Sequence, residues 1–155
     1  MPKPEPDWLE TERPLGEAGR LSPELLEELR TAYLESVSGD LEALDSLTED
    51  LLQDRRPWRE GLDRLRRVVH NVKGQGASFG YPLMTDVGES LHHLLRNAPA
   101  ASRPAAVSEA KEVIRLHVLC LRRVIEGDLR GEPEAKGQLL VQRLKALSGR
   151  IAGTL

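Results

Sequence analysis

The sequence is poor in aromatic residues and in cysteine. Aromatic side chains make up 3% of the 155 residues, and Cys120 is the single cysteine, which excludes an internal disulfide framework. No apolar run approaches the roughly 18 residues of a membrane span, and the N-terminus lacks the apolar stretch of a signal peptide. The net charge of −3 provides no strong basic field for nucleic acid. We therefore expect a cytoplasmic protein that binds neither membrane nor nucleic acid.

Segments that alternate between apolar and polar residues are also missing, so the sequence predicts no β-strand. The abundance of Leu, Ala, Glu and Arg is typical of helices. Four amphipathic segments with short connections predict an all-α protein, an antiparallel four-helix bundle. The predicted domains are a loose, proline-rich arm at 1–20, the bundle at 21–130 and an accessory C-terminal helix at 131–155. The leucine stripe of that last helix favours packing within the chain over a dimer seam, so we expect a monomer.

Several helix boundaries follow from local signals. Ser22 and Pro23 indicate a helix start, because a serine hydroxyl caps the first turn and proline fits into it. The helical spacing continues to about residue 53, either as one bent helix or as two helices that meet at Gly39. Further helices are predicted at about 103–127 and 133–151.

The stretch 69–81, VHNVKGQGASFGY, carries three glycines within a helical pattern. Glycine inside a helix costs about 1 kcal/mol relative to alanine, so each one calls for a reason. Gly76 lies on the apolar seam, where a small residue lets a neighbouring helix approach closely, and Gly80 is expected to end the helix. Gly74 lies on the exposed face, where packing gains nothing. The seam itself steps by three and four residues and consists of Leu62, Leu65, Val69, Val72, Gly76 and Phe79.

His70 lies about 130° from the middle of that seam on a helical wheel, and therefore on the exposed side. An imidazole nitrogen is a nucleophile near pH 7. A phosphoryl group on it would bring about two negative charges, which Lys73 is placed to offset, and Gly74 leaves room for a bulky group to approach. These features suit a phosphocarrier. Spacing alone also allows a plain solvated face, but the glycine placement weighs against it. The residues one or two turns away are Asp63, Arg66, Arg67, Lys73, Gly74 and Ala77.

The segment HNVKGQGASFG resembles the signature of histidine-containing phosphotransfer (HPt) domains, and the likeness in helix order covers about residues 21–130. It is most similar to the phosphoacceptor domain of chemotaxis-type histidine kinases, in which Phe-Gly and an aromatic residue close the motif, as Phe79-Gly80-Tyr81 do here. The resemblance implies that His70 is phosphorylated on Nε2, that Lys73 supports the phosphoryl group and that Gly74 admits a receiver domain.

The chain departs from the family pattern at two positions. A small residue such as alanine usually stands where Gly76 is, which predicts slightly looser packing at this point. A glutamine that hydrogen-bonds near the active imidazole often stands 22 residues after the histidine, and His92 takes that position here. His92 flanks the apolar stripe of its helix by about 110°, so two antiparallel neighbours could bring it and His70 to one groove. We interpret His92 as a candidate orienting group for His70, or else His92 and His93 are ordinary polar-face residues.

The function predicted from this resemblance is a histidine phosphotransfer protein of a bacterial two-component phosphorelay, which carries a phosphoryl group on His70 between receiver-domain aspartates. The predicted partners are response-regulator receiver domains, contacted by Arg66, Arg67, Gly74 and Ala77. No cofactor or metal of its own is expected, because the receiver would bring the Mg²⁺. Two alternatives stay open: a phosphoacceptor domain for a separate chemotaxis-type histidine kinase that uses ATP, and an interaction bundle that has lost transfer activity.

Three other patterns imitate sites of chemistry. The glycines of GQGASFG are spaced one residue too widely for a dinucleotide-binding loop and follow a helix rather than a strand. His117 and Cys120 lie one turn apart on an apolar face, which predicts a buried histidine with one hydrogen bond and a buried thiol, not a metal site. The basic run DRLRR predicts a solvated face, or alternatively a surface that attracts the acidic pocket of a receiver domain.

Overall fold

The computed structural model of the chain describes residues 22–153, which form five α-helices with short connections and no strand. The predicted arm at 1–20 lies outside the described residues. The all-α prediction is confirmed for the described range. The helices are α1 (Pro23–Leu52), α2 (Trp58–Gln75), α3 (Pro82–Arg96), α4 (Pro104–Glu126) and α5 (Ala135–Gly153), with a 3₁₀ turn at Ala77–Phe79.

The first helix is continuous through Gly39, so of the two predicted alternatives the structure shows one helix and not two. Its start is capped as expected, because the backbone N–H of Leu25 donates to Ser22 Oγ at 3.1 Å. The chain divides into two compact units after Ala32. The described part of the first unit is the beginning of α1, where Leu25, Leu26 and Leu29 are exposed. The second unit begins at Tyr33.

Within the second unit, side-chain contacts show that α1 and α4 run antiparallel. Asp45, in the middle of α1, forms an ion pair with Arg122 near the end of α4. Asp54, just beyond α1, accepts a hydrogen bond of 2.8 Å from Lys111 in the first half of α4. Later positions on α1 therefore meet earlier positions on α4, as short connections between bundle helices require.

The α2 and α3 helices are antiparallel in the same way. Trp58, at the start of α2, donates its indole N–H to the carbonyl of Pro99, beyond the end of α3, at 2.8 Å. At the other end, Gly76 meets Met84 in the first turn of α3. The pair encloses the middle of a single apolar core, whose completely buried side chains include Leu44, Leu65, Val69, Val87, Leu91, Leu94 and Leu121.

The C-terminal helix α5 packs against α3 and α4 of the same chain. Ser148 on α5 is buried and lies 3.0 Å from Ser90 Oγ on α3. Arg150 forms an ion pair with Glu109 on α4. The prediction that this helix packs within the chain is confirmed.

The connection between α2 and α3 differs from the predicted helix. The seam was expected to continue as helix to Phe79, whereas α2 ends at Gln75 and the chain tightens into a 3₁₀ turn. A Cβ on Gly76 would lie 2.6 Å from Met84 Cβ and 2.9 Å from the carbonyl oxygen of Tyr81. The expectation of looser packing at Gly76 is therefore wrong, because the backbone of the turn and the first turn of α3 occupy the space of a side chain.

Aromatic stacking fixes this turn. Gly80 has a φ of 92°, a left-handed conformation that glycine adopts without strain. The positive φ ends the helical segment, as the sequence predicted. The Tyr33 ring stacks on Phe79 at 4.8 Å and on Tyr81 at 5.7 Å between ring centroids. Tyr81 also donates its hydroxyl to Asp128 at 2.6 Å, which ties the turn to the connection between α4 and α5.

None of the helices in residues 22–153 combines the length and the hydropathy that a membrane-spanning segment requires.

Candidate functional site

The ends of two side chains, one from α2 and one from α3, meet at an open groove on the bundle surface. His70 is exposed on α2, and His92 is half-buried on α3. Their ring centroids are 6.3 Å apart and the ring planes are tilted by 46°. The structure therefore brings the two predicted histidines to one groove, an arrangement that the helical-wheel argument allowed. The groove has a volume of about 580 Å³ and is lined by Asp63, Arg66, Arg67, His70, Asn71 and His92.

The exposure of His70 follows from the register of α2. Val69 and Val72 are buried in the core, and the helical repeat of about 100° per residue turns His70 away from them. One turn further on, a Cβ on Gly74 would meet no heavy atom within 4 Å. The helix surface next to His70 is therefore unobstructed, and a second protein can reach the ring.

Lys73 is connected to the groove by its contact with His92. Its Nζ lies 3.4 Å from His92 Nδ1. An ammonium group has only protons to donate, so Nδ1 acts as the acceptor in this contact. The neutral His92 ring then carries its proton on Nε2.

The surroundings of His92 disfavour its protonation. Burial lowers the pKa of His92 below its ordinary value of 6.5, and the nearby Lys73, Arg96, Arg66 and His70 lower the pKa further. Two of these groups lie on α2 together with His70, and Arg96 lies on α3. A neutral His92 therefore remains a hydrogen-bond donor through Nε2 and does not add a positive charge of its own.

The groove is basic on balance. Arg66 and Arg67 both line it, and Asp63 is the one acidic side chain among its lining residues. Arg66 Nη1 lies 3.6 Å from Asp63 Oδ1, with both side chains about half exposed. Exposed pairs of this kind contribute little to stability, so the positive charge stays available to an incoming anion.

Two of the predicted partner-contacting residues lie away from the groove lining. Gly74 is further along the exposed face of α2. Ala77 belongs to the 3₁₀ turn instead of the predicted helix, and its backbone N–H donates to Thr85 Oγ1 at 2.9 Å. Ala77 is nevertheless exposed.

The structure adds two residues that the sequence analysis missed. Asn71 lines the groove beside His70, and its position next to the histidine on a polar face is a signal that could have found it. Gly88 is buried on α3, and the atoms nearest to its missing Cβ all belong to Lys73. A glycine inside an apolar helix face is the sequence signal for such a close approach.

His117 and Cys120 are buried, as expected, but the histidine is better satisfied than predicted. Its Nδ1 lies 2.7 Å from the Val113 carbonyl oxygen. Its Nε2 lies 2.8 Å from Ser90 Oγ and 3.2 Å from Ser148 Oγ. The expectation of a single hydrogen bond was wrong because α3 and α5 each bring a serine to the same point. Residues 22–153 contain no group of three or more His, Cys, Asp or Glu side chains that could hold a metal ion.

Together, the fold and the site define a helical-bundle protein with an exposed histidine at an open groove. The family model of the Hpt domain matches residues 22–126. The chain therefore belongs to the Hpt domain family, whose general role is histidine phosphotransfer. Helix α5 lies beyond the matched residues. Comparison with curated proteins found no match, and comparison with solved structures found none either.

Proposed function

We propose that this protein is a phosphocarrier of a bacterial two-component phosphorelay, acting as a monomer in the cytoplasm. In this proposal it accepts a phosphoryl group on His70 from one receiver-domain aspartate and delivers it to another. The observation that carries the proposal is the exposed His70 ring in an open basic groove. A receiver domain must bring its aspartate to within bonding distance of the acceptor nitrogen, and an enclosed histidine would prevent that approach.

The transfer exchanges one bond to phosphorus for another. The lone pair of His70 Nε2 attacks the phosphorus of the aspartyl phosphate, a P–N bond forms, and the P–O bond to the aspartate breaks. The aspartate leaves as a carboxylate and the imidazole keeps its proton on Nδ1. Delivery to the next receiver is the same exchange in reverse, so the protein consumes no ATP itself.

Lys73 and His92 are proposed to stabilise the transferred group. Phosphoryl transfer depends mainly on positioning and on stabilising negative charge. The Lys73 ammonium lies beside His92, and the His92 Nε2–H is a donor for a phosphoryl oxygen on His70. Both groups would act on charge that is present when the phosphoryl group arrives.

The surface around His70 is proposed to receive the partner. Arg66 and Arg67 would attract the acidic pocket of a receiver domain, since charge complementarity speeds encounter. Gly74 and Ala77 would let the partner's backbone approach the end of α2 and the 3₁₀ turn that follows it. The Mg²⁺ that the transfer requires would come with the receiver's own carboxylates, so that this chain would not need to supply a metal site.

The test is transfer of labelled phosphate from a phosphorylated receiver domain to the purified protein. The wild type is expected to gain an acid-labile, base-stable phosphate, and the His70→Gln variant none, with the helical circular dichroism of both unchanged. Labelling of His70→Gln at the wild-type level would reassign the acceptor. Absence of labelling both from every receiver of the source genome and from ATP with its chemotaxis-type kinases would leave an interaction bundle without transfer activity.

A parallel reaction separates the relay from the alternative of a kinase-coupled phosphoacceptor. The closing residues Phe79-Gly80-Tyr81 match that alternative in sequence. Incubation with ATP and each chemotaxis-type kinase of the same genome would then label His70 faster than any phosphorylated receiver does. Faster labelling from receivers supports the relay.

A further inference from the structure

Gly88 lies on α3 where it faces α2, and its surroundings are unusual. A Cβ at this position would lie 2.8 Å from Lys73 Cβ, 3.2 Å from Lys73 Cα and 3.4 Å from Lys73 N. Two of these three atoms belong to the backbone of α2. Rotation of a side chain therefore cannot make room, and any larger residue would push the two helices apart at Lys73.

The other end of the lysine meets α3 one turn later. His92 follows Gly88 by four residues and so lies on the same face of the helix. Lys73 Nζ is 3.4 Å from His92 Nδ1. The lysine side chain thus runs along α3 for about 6 Å, the rise of four helical residues, with its first carbon at Gly88 and its ammonium at the edge of the groove.

A second buried glycine shows that this arrangement differs from ordinary helix packing. Gly61 on α2 also lies at a helix contact, but its missing Cβ would meet the Leu51 side chain, at 2.3 Å from Cδ2 and 2.9 Å from Cγ. Gly61 therefore makes room for an apolar core residue. Gly88 makes room for a charged residue whose end lies beside His92.

We propose that Gly88 is a positioning residue for phosphoryl transfer: its missing side chain lets α2 approach α3 closely enough to hold Lys73 along α3, with the ammonium at His92. The inference rests on the proposed function, because the negative charge that this ammonium would stabilise belongs to the phosphoryl group on His70. Gly88 contacts neither the histidine nor the partner and acts through Lys73.

The kinetic test measures transfer from a saturating phosphorylated receiver to the wild type, Gly88→Ala, Lys73→Met and the double variant. Gly88→Ala is expected to lower the saturating rate about tenfold, which corresponds to an increase in the barrier of about 1.4 kcal/mol. In the double variant the rate should equal that of Lys73→Met, because no ammonium is left to misplace. The proposal would be overturned if Gly88→Ala lowered the rate of the Lys73→Met variant by the same factor as it lowers the wild-type rate. A wild-type rate for Gly88→Ala alone would also overturn it.

A second readout needs no phosphate. Burial and, after it, the nearby Lys73 lower the pKa of His92, so both Lys73→Met and Gly88→Ala should raise that pKa in an NMR titration of the imidazole signals. An unchanged His92 pKa in Gly88→Ala contradicts the positioning role. The titration uses the unphosphorylated protein, so it still tests the contact of Lys73 with His92 if wild-type His70 accepts no phosphate. That result would reject the proposed function without deciding whether Gly88 positions Lys73.

Two further variants guard against a purely structural explanation. Gly61→Ala should lower the melting temperature but leave the transfer rate and the His92 pKa unchanged, and a matching loss of transfer there would show that general loosening of the bundle explains Gly88. If Gly88→Ala does not fold, the combination with Lys73→Gly removes the nearest atom, Lys73 Cβ, and should recover part of the lost stability, because the Lys73 Cα at 3.2 Å remains. The expected result is that Gly88→Ala destabilises the Lys73→Gly background less than it destabilises the wild type, and an equal loss in both would contradict the assigned contact.

Discussion

His70 and His117 are carried by helices of the same bundle, yet their surroundings are opposite. His70 is exposed in a basic groove with open helix surface beside it. His117 is completely buried, and both of its ring nitrogens have partners, from the backbone of Val113 and from the hydroxyls of Ser90 and Ser148. A nucleophile needs access for its electrophile, and of these two rings only His70 is exposed.

The same contrast holds for the glycines near the site. A side chain at Gly74 would extend into open space, whereas at Gly76 and Gly88 atoms of neighbouring elements already occupy the space of a side chain. The missing side chain provides access in the first case and close helix approach in the other two. Glycine therefore leaves the surface of α2 open at Gly74 and allows close packing of neighbouring elements at Gly76 and Gly88.

The largest expected effect is a loss of stability that distinguishes substitution of His117 from substitution of His70. His117→Ala leaves a cavity and two buried hydroxyls without their nitrogen partner, and should lower the free energy of unfolding by about 3 kcal/mol. His70→Ala is the matched control and should change it by less than about 0.5 kcal/mol. Urea denaturation followed by circular dichroism measures both. Equal losses would show that burial does not distinguish these two sites.

The second prediction compares two glycines that both border open space. Gly74→Leu and Gly39→Leu should each stabilise their helix by up to about 1 kcal/mol, since neither side chain meets a neighbour. Only Gly74→Leu should obstruct the receiver and slow transfer, by about thirtyfold, through a steric clash in the complex. Rapid-quench transfer assays with a phosphorylated receiver measure the rates. An unchanged rate for Gly74→Leu would refute the steric argument.

The third prediction compares two lysines. Lys73→Ala should slow transfer about tenfold, because a positioned cation at the phosphoryl group is lost, while the free energy of unfolding changes by less than about 1 kcal/mol. Lys111→Ala, which breaks an ion pair with Asp54 on another face, is the control and should transfer at the wild-type rate. Similar rates for both variants would remove Lys73 from the site.

The smallest effect is a dependence of stability on pH. Burial lowers the pKa of His117 below 6.5, although its hydrogen bond to the Val113 carbonyl opposes this shift. The unfolded chain therefore binds a proton at a higher pH than the folded one, so the free energy of unfolding should fall as the pH drops below about 6.5. His117→Gln should flatten this slope in urea titrations from pH 5 to pH 8.

His92→Gln is the comparison variant for that titration. The pKa of His92 is lowered as well, but its ring is only half-buried, so its removal should flatten the slope less than removal of His117. A wild-type slope in His117→Gln would contradict the role of burial at that position.

Much of the site could be predicted from sequence because helical periodicity is a local property. The positions of Val69 and Val72 place His70 on the outer face and Lys73 one turn along, and the same wheel argument brought His92 toward the groove. The turn after α2 was predicted less well. Gly76 and Phe79 keep the seam spacing, but the close packing of Met84 and the stacking of Tyr33 favour a 3₁₀ turn there.

The sequence by itself determined the all-α architecture, the exposed histidine and the open surface at Gly74, because apolar spacing along a helix decides which residues face water. Only the tertiary structure decided that Lys73 is held between Gly88 and His92, and that His117 bonds to serines from two other helices. Those contacts join residues 15 to 31 positions apart. Their geometry depends on how closely the helices approach one another, which the packing of the whole core sets.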